Sequence, residues 1–151
     1  MPHFAANLTM MFNEVPFLDR FAAARNAGFD AVEFLFPYAH TPVEVGARLT
    51  ENGLTQALFN APPGDWDAGE QGIAALPDRV SEFRQSIDQA LEYARALNCK
   101  TLHVMAGLVG EGGDRNAMMA CYIDNVRYAA DRCRDEGMTV ALEPLNARDV
   151  P

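Results

Sequence analysis

Three polar residues sit in apolar surroundings where they could do chemistry: Glu143 in VALEPLN (140–146) and His103 in TLHVMAG (101–107) as proton carriers, and Asn7 in HFAANL (3–8) as a hydrogen-bonding group. A carboxylate that follows Val140, Ala141 and Leu142 pays for lost hydration unless it is paired, hydrogen-bonded or metal-bound, so Glu143 is expected to be partly dehydrated. Pro144 biases Glu143 toward an extended backbone that aims its side chain out of a strand end. From there it could ligate a hard divalent cation or shuttle a proton beside a carbonyl. The plainer reading is a solvated charge or an ion pair closing a strand. His103, between Leu102 and Val104, is either a core imidazole or a site ligand. Glu33, in DAVEFLF (30–36), either points into the same cavity or pairs with a lysine or arginine.

The elements that must position these residues are visible in the hydrophobic pattern. Strand-like runs occur at 3–8, 30–36, 54–60, 101–107 and 138–144. Four helical segments lie between them. In the first, Phe17, Leu18, Phe21 and Ala24 recur at helical steps, with Asn13 as cap, Pro16 in the first turn and Gly28 as the stop. The second is TPVEVGARLTEN (41–52). The third runs from about Asp78 to Leu97, with Phe83, Ile87, Ala90, Leu91 and Ala94 on one face. The fourth runs from about Arg115 to Glu136, with Tyr122, Ile123, Val126, Ala130 and Cys133 on its inner stripe. Met10 and Met11 read as packing residues.

Strict βα alternation implies parallel strands with right-handed crossovers. Two architectures use it: the open doubly wound sheet and the closed (β/α)8 barrel, which takes about 250 residues. With 151 residues, length alone favours an open five-stranded sheet of flavodoxin type. In either case functional groups lie at the C-terminal ends of the strands. Asn7, Asn60 and Glu143 close three of those strands. The connection at 60–77, NAPPGDWDAGEQGIAALP, is long for a compact domain and carries three glycines and Trp66, the sole tryptophan. It is either a functional lid or a surface loop anchored by a buried Trp66.

The net charge of -9 argues against a nucleic-acid backbone or an anionic membrane as the main partner. No apolar run reaches the roughly 18 residues of a membrane span, and MPHFAANLTMMFNEV lacks a signal-peptide pattern. Cys99, Cys121 and Cys133 have no CxxC spacing. On one helix, Cys121 and Cys133 would stand ~18 Å apart, too far for a disulfide. Free, mostly buried thiols suggest a cytoplasmic protein. GxGxxG, P-loop, HExxH and GxSxG patterns are absent, so nucleotide binding and serine hydrolysis have no support.

FAANLTMMFNEVPFLDRFAAARNAGFDAVEFLFPY, LFNAPPGDWDAGEQG, LHVMAGLV and ALEPLNARDVP together resemble the hydroxypyruvate isomerases and the similar 2-oxo-tetronate isomerases. These are xylose-isomerase-like (β/α)8 barrels. The resemblance runs over all 151 residues and reverses the inference from length. It implies an incomplete barrel: residues 1–151 as the N-terminal part of one TIM-barrel domain, holding four βα units and a fifth strand. It also implies an intramolecular oxidoreductase of the aldose–ketose isomerase type. Hydroxypyruvate and tartronate semialdehyde interconvert by proton transfer through an enediolate, which needs an acid/base pair and an electrophile for the oxyanion.

By this resemblance Glu143 matches the first of two proton-transferring glutamates, and the second would lie on an eighth strand outside this chain. In metal-using relatives the corresponding glutamate also ligates a divalent cation, which makes Glu143 a metal candidate for Mg or Mn. His103 and Asn7 fall in the quoted blocks as substrate-binding candidates. Asp149 matches a substrate-contacting acidic position in ketose epimerases. The implied partner is a small hydroxy-oxo acid, with no nucleic acid or membrane, in a possible homo-oligomer.

Hydroxypyruvate is the first substrate expectation, and 2-oxo-tetronate the runner-up. From another class comes a non-catalytic half-barrel, and the chain alone is expected to lack turnover. A third reading, a nuclease of the apurinic endonuclease type, is disfavoured by the acidic charge and the shortage of histidines for a zinc cluster.

Overall fold

The structure, a computed structural model, describes residues 2–110 and 112–144. Five strands alternate with four helices: β1 (Ala5–Asn7), α1 (Arg20–Asn26), β2 (Ala31–Phe34), α2 (Pro42–Asn52), β3 (Thr55–Asn60), α3 (Val80–Leu97), β4 (Thr101–His103), α4 (Arg115–Asp135) and β5 (Thr139–Ala141). The sheet order is β1-β2-β3-β4-β5, with β1 parallel to β2 and β2 to β3. A flavodoxin-type sheet places its second strand outside the first. Here the strands follow chain order without a switch point, as successive strands of a barrel do, which overturns the inference from length.

The helix signals are local and mostly hold. At α2, the Thr41 hydroxyl accepts from the Glu44 backbone N–H, while the Glu44 carboxylate accepts from that of Thr41 at 2.8 Å. This reciprocal cap satisfies two of the N–H groups a helix start leaves open. Gly53 closes α2 in the left-handed region at φ 61°. The start of α1 differs from expectation. Pro16 precedes a 3-10 turn at Phe17–Asp19, α1 begins only at Arg20, and the Asn13 amide donates to the Met10 carbonyl instead of capping. Arg20 then ties the connection down, donating to the Leu8 and Val15 carbonyls. Met10 is 71% exposed and Met11 also lies exposed, so neither packs as expected.

The chain divides into two compact units, one of residues 1–59 with 92–101, the other of 60–91 with 102–151. The first unit packs an aromatic cluster: Phe17 meets Phe21 and Phe34 edge-on at 5.5 and 5.3 Å, and Phe34 lies 6.5 Å from Phe59. Val32 and Phe34 point toward this cluster, whereas Glu33 is carried to the other face of the sheet. In the second unit Ile73, Phe83, Ile87, Leu91, Leu102 and Val104 are buried. The buried stripe of α4 is Met118, Asn125, Ala129 and Cys133. Ile123 is exposed, and so is Ala130. The expected stripe is therefore turned partly to solvent, and on the buried side the Asn125 amide donates to the Ala74 carbonyl at 2.9 Å. Among the described residues no helix is long and apolar enough to cross a membrane.

Phe34→Ala deletes the ring shared by three aromatic contacts of the first unit. It is expected to destabilise the fold by about 3–5 kcal/mol, read as a lowered urea midpoint.

Candidate active site

The ends of β3, β4 and β5 are tied together by single backbone bonds. The Ala61 N–H donates to the His103 carbonyl at 2.8 Å, and the Val104 N–H to the Ala141 carbonyl at 3.1 Å. The side chains carried there are Asn60, buried, His103, half-buried, and Glu143, exposed. Asn60 directs its amide at the Met105 sulfur, 3.6 Å away.

The strand run expected at 101–107 stops at His103 because the connection between β3 and α3 claims the next residues. Gly72 bridges Ala106 in antiparallel fashion, and the Ala75 N–H donates to the Ala106 carbonyl at 2.7 Å. Gly72 sits at φ 108°, and a Cβ there would stand 2.4 Å from the Met105 carbonyl oxygen. At Gly107, φ 105°, a Cβ would stand 2.6 Å from the Gly72 oxygen. Both positions need glycine for conformation and for space.

The rest of that loop is fastened as firmly. Glu70 accepts from the Asp65 backbone N–H and from the Arg79 guanidinium, which also grips Glu82. Ile73, Ala74 and Ala75 are buried, while Trp66 is 45% exposed. The loop is thus anchored by its small apolar residues and a salt bridge, not by a buried tryptophan.

Among the described residues, the His103 ring has no hydrogen-bond partner. Burial pushes its pKa below the ordinary imidazole value, and the Glu143 carboxylate pulls it back up. A half-buried imidazole held neutral presents one N–H donor and one acceptor nitrogen. Glu143, at the end of the neighbouring strand, is exposed among the described residues. β5 has a neighbour only through β4, Leu142 beside Glu143 is 47% exposed, and the strand end is open to solvent.

Asn7 lies in the other unit. Its amide donates to Glu33 at 3.0 Å and its oxygen accepts from the Thr9 N–H. Glu33 therefore pairs with an amide, not with a lysine or arginine. Asp149 lies outside the described residues. Among the described residues no three His, Cys, Asp or Glu side chains converge on a metal position. Asn125 was missed in the sequence; its spacing of four and eight from Ala129 and Cys133 was the available signal.

The family model of the xylose isomerase-like TIM barrel matches residues 21–151. This chain belongs to that barrel family. It is 58% identical over all 151 residues to the 2-oxo-tetronate isomerase of Cupriavidus necator, and 42% identical over 151 residues to the hydroxypyruvate isomerase of Escherichia coli. A solved structure named AP endonuclease, family 2, from Brucella melitensis matches the whole chain with TM-score 0.96 and 56% identity. This barrel chain spans 58% of the length of each of the three.

Two measurements check the site. Glu143→Gln is expected to shift the His103 titration, followed by NMR, to lower pH, since the charge that raises it is removed. An unmoved titration would separate the two groups. At the loop, the Asp65 N–H first and Arg79 second hold Glu70 below the ordinary carboxylate range. Its depressed folded pKa means that its contribution is in force above the unfolded value and disappears as pH falls through the folded one. Trp66 emission should therefore change in acid below that range, and Glu70→Gln should show the acid-form emission already at pH 7.

Proposed function

We propose that this chain carries the first part of the active site of an isomerase acting on short hydroxy-2-oxo acids, as the N-terminal part of one barrel domain. The observation that carries the reading is that Glu143 and His103 stand at the ends of the neighbouring strands β5 and β4, with no hydrogen-bond partner for the His103 ring among the described residues. A carboxylate in water-accessible reach of substrate can take a proton from the carbon next to a carbonyl. A neutral imidazole N–H can hold the oxygen on which enediolate charge develops.

In this mechanism Glu143 removes the proton from the hydroxyl-bearing carbon. The electron pair moves into the new carbon–carbon double bond, and the carbonyl becomes an enediolate oxygen bonded to His103. Return of that proton to the former carbonyl carbon, with the hydroxyl proton passing from the oxygen that becomes the new carbonyl to the enediolate oxygen, completes the exchange. Relatives named 2-oxo-tetronate isomerase are 50–58% identical to this chain and the relative named hydroxypyruvate isomerase 42%. This order supports the four-carbon acid ahead of hydroxypyruvate, the reverse of the expectation from sequence.

The nuclease reading gains only the name borne by the Brucella melitensis structure. The net charge of -9 and the absence of a three-ligand cluster among the described residues speak against it.

The test joins residues 1–151 to the C-terminal part of the Cupriavidus necator relative and assays 2-oxo-tetronate and hydroxypyruvate. Isomerisation is expected, with the larger kcat/KM on the four-carbon acid, and Glu143→Gln should lower kcat about 10²–10⁴-fold. A folded fusion that interconverts neither acid would overturn the reading. The 151-residue chain by itself is expected to show no turnover.

A further inference from the structure

Where the connection after β4 meets the start of α4, within the second unit, lies a cavity of about 190 Å³. Ala75 and Ala106 line it, joined by the 2.7 Å bond from the Ala75 N–H to the Ala106 carbonyl. Gly107, Val109, Met118, Met119 and Tyr122 make up the rest of its uncharged lining. Asn60, His103 and Glu143 do not line it, so the cavity is independent of the isomerase reading.

α4 gives one stripe to this cavity. Arg115, Met118, Met119 and Tyr122 recur at steps of three, four and seven residues, the spacing of a single helix face. Arg115 stands at the N-terminal end of the stripe, and among the described residues its guanidinium makes no hydrogen bond and no ion pair. That sets it apart. The other described arginines all have a partner in the chain: a carboxylate, a backbone carbonyl or the Tyr128 ring among them. Asp114, next to Arg115, commits its carboxylate to the Asn116 and Ala117 N–H groups as the cap of α4. The Tyr122 hydroxyl also lacks a hydrogen-bond partner among the described residues, and burial pushes its pKa above the ordinary phenol value.

A free cation beside thioether, aliphatic and phenol surfaces selects an anion with an apolar body. A guanidinium forks onto a carboxylate through two parallel bonds. With one cation available and the Asp114 carboxylate adjacent, a monoanion fits where a phosphate dianion would be repelled. An apolar cavity of about 150 Å³ takes up benzene, so this one has room for a chain of about five or six carbons. We infer that the cavity binds a small aliphatic monocarboxylate, with its carboxylate on Arg115 and its chain against Val109, Met118, Met119 and Tyr122. The Gly72–Ala106 bridge and Gly107 at φ 105° set the backbone of the lining in advance, which keeps the ordering cost of binding low. The two thioether chains adapt to the shape of the guest.

The test titrates the 151-residue chain with sodium hexanoate and follows the ε-methyl resonances of Met118 and Met119 by NMR. Saturable shifts of both are expected. Acetate should bind at least about tenfold more weakly, since each buried methylene is worth roughly fourfold in affinity. Hexylammonium, the same chain length with the opposite charge, should give no saturable shift. Arg115→Gln should weaken hexanoate binding about tenfold through loss of the charge-assisted bonds. Arg115 is exposed in the first turn of α4, so that variant leaves the core untouched. Absence of a saturable shift with hexanoate would overturn the inference. So would hexylammonium or acetate binding as tightly as hexanoate, or an unchanged hexanoate Kd in Arg115→Gln. Should that variant not fold, hexanoate against hexylammonium on the unaltered chain decides.

Discussion

The backbone meeting between Gly72 and residues 105–107 is the constraint on which the candidate site depends. Two segments of the backbone approach there more closely than any Cβ allows, and this approach ends β4 at His103. Were the strand to continue, Met105 and Gly107 would take alternating strand positions, and the loop would lose its seat. Instead the segment is shared among Ala61 at His103, Ala141 at Val104 and Ala75 at Ala106. Three neighbours thereby hold the short stretch from which the imidazole projects.

That arrangement also explains why one loop is so long and yet firmly held. Residues 61–76 bury Ile73, Ala74 and Ala75, bond to Asn125 of α4 and are latched by Glu70 and Arg79. The half-exposed Trp66 rides on this frame instead of securing it. A salt bridge between partly exposed groups is weak by itself. Here Glu70 also accepts the Asp65 N–H, so the carboxylate organises the turn as well as pairing with a cation.

Glu143 shows how far burial departs from a strand-like pattern. Val140 and Ala141 are half-buried, Leu142 and Glu143 are exposed, and the carboxylate keeps its water. Its nearness to His103 is nonetheless a fact of the fold, because β4 and β5 are sheet neighbours. Asn7 illustrates the opposite case: its amide is committed to Glu33 and Thr9 through the β1–β2 register.

The amino-acid sequence by itself determined the alternation of elements, since hydrophobic period, caps and glycine stops act within a few residues of each other. The helix at 41–52, its closing at Gly53 and the buried face Phe83–Ile87–Ala90–Leu91–Ala94 were legible for that reason. It also made Asn60 and Glu143 recognisable as strand-end polar groups, whereas His103 was expected inside its strand, which the structure ends there. Only tertiary structure decided which carbonyl Asn125 would satisfy and which glycines had to remain without a side chain. Those outcomes depend on groups brought together from 30 to 50 residues away, where no local period or cap carries the information.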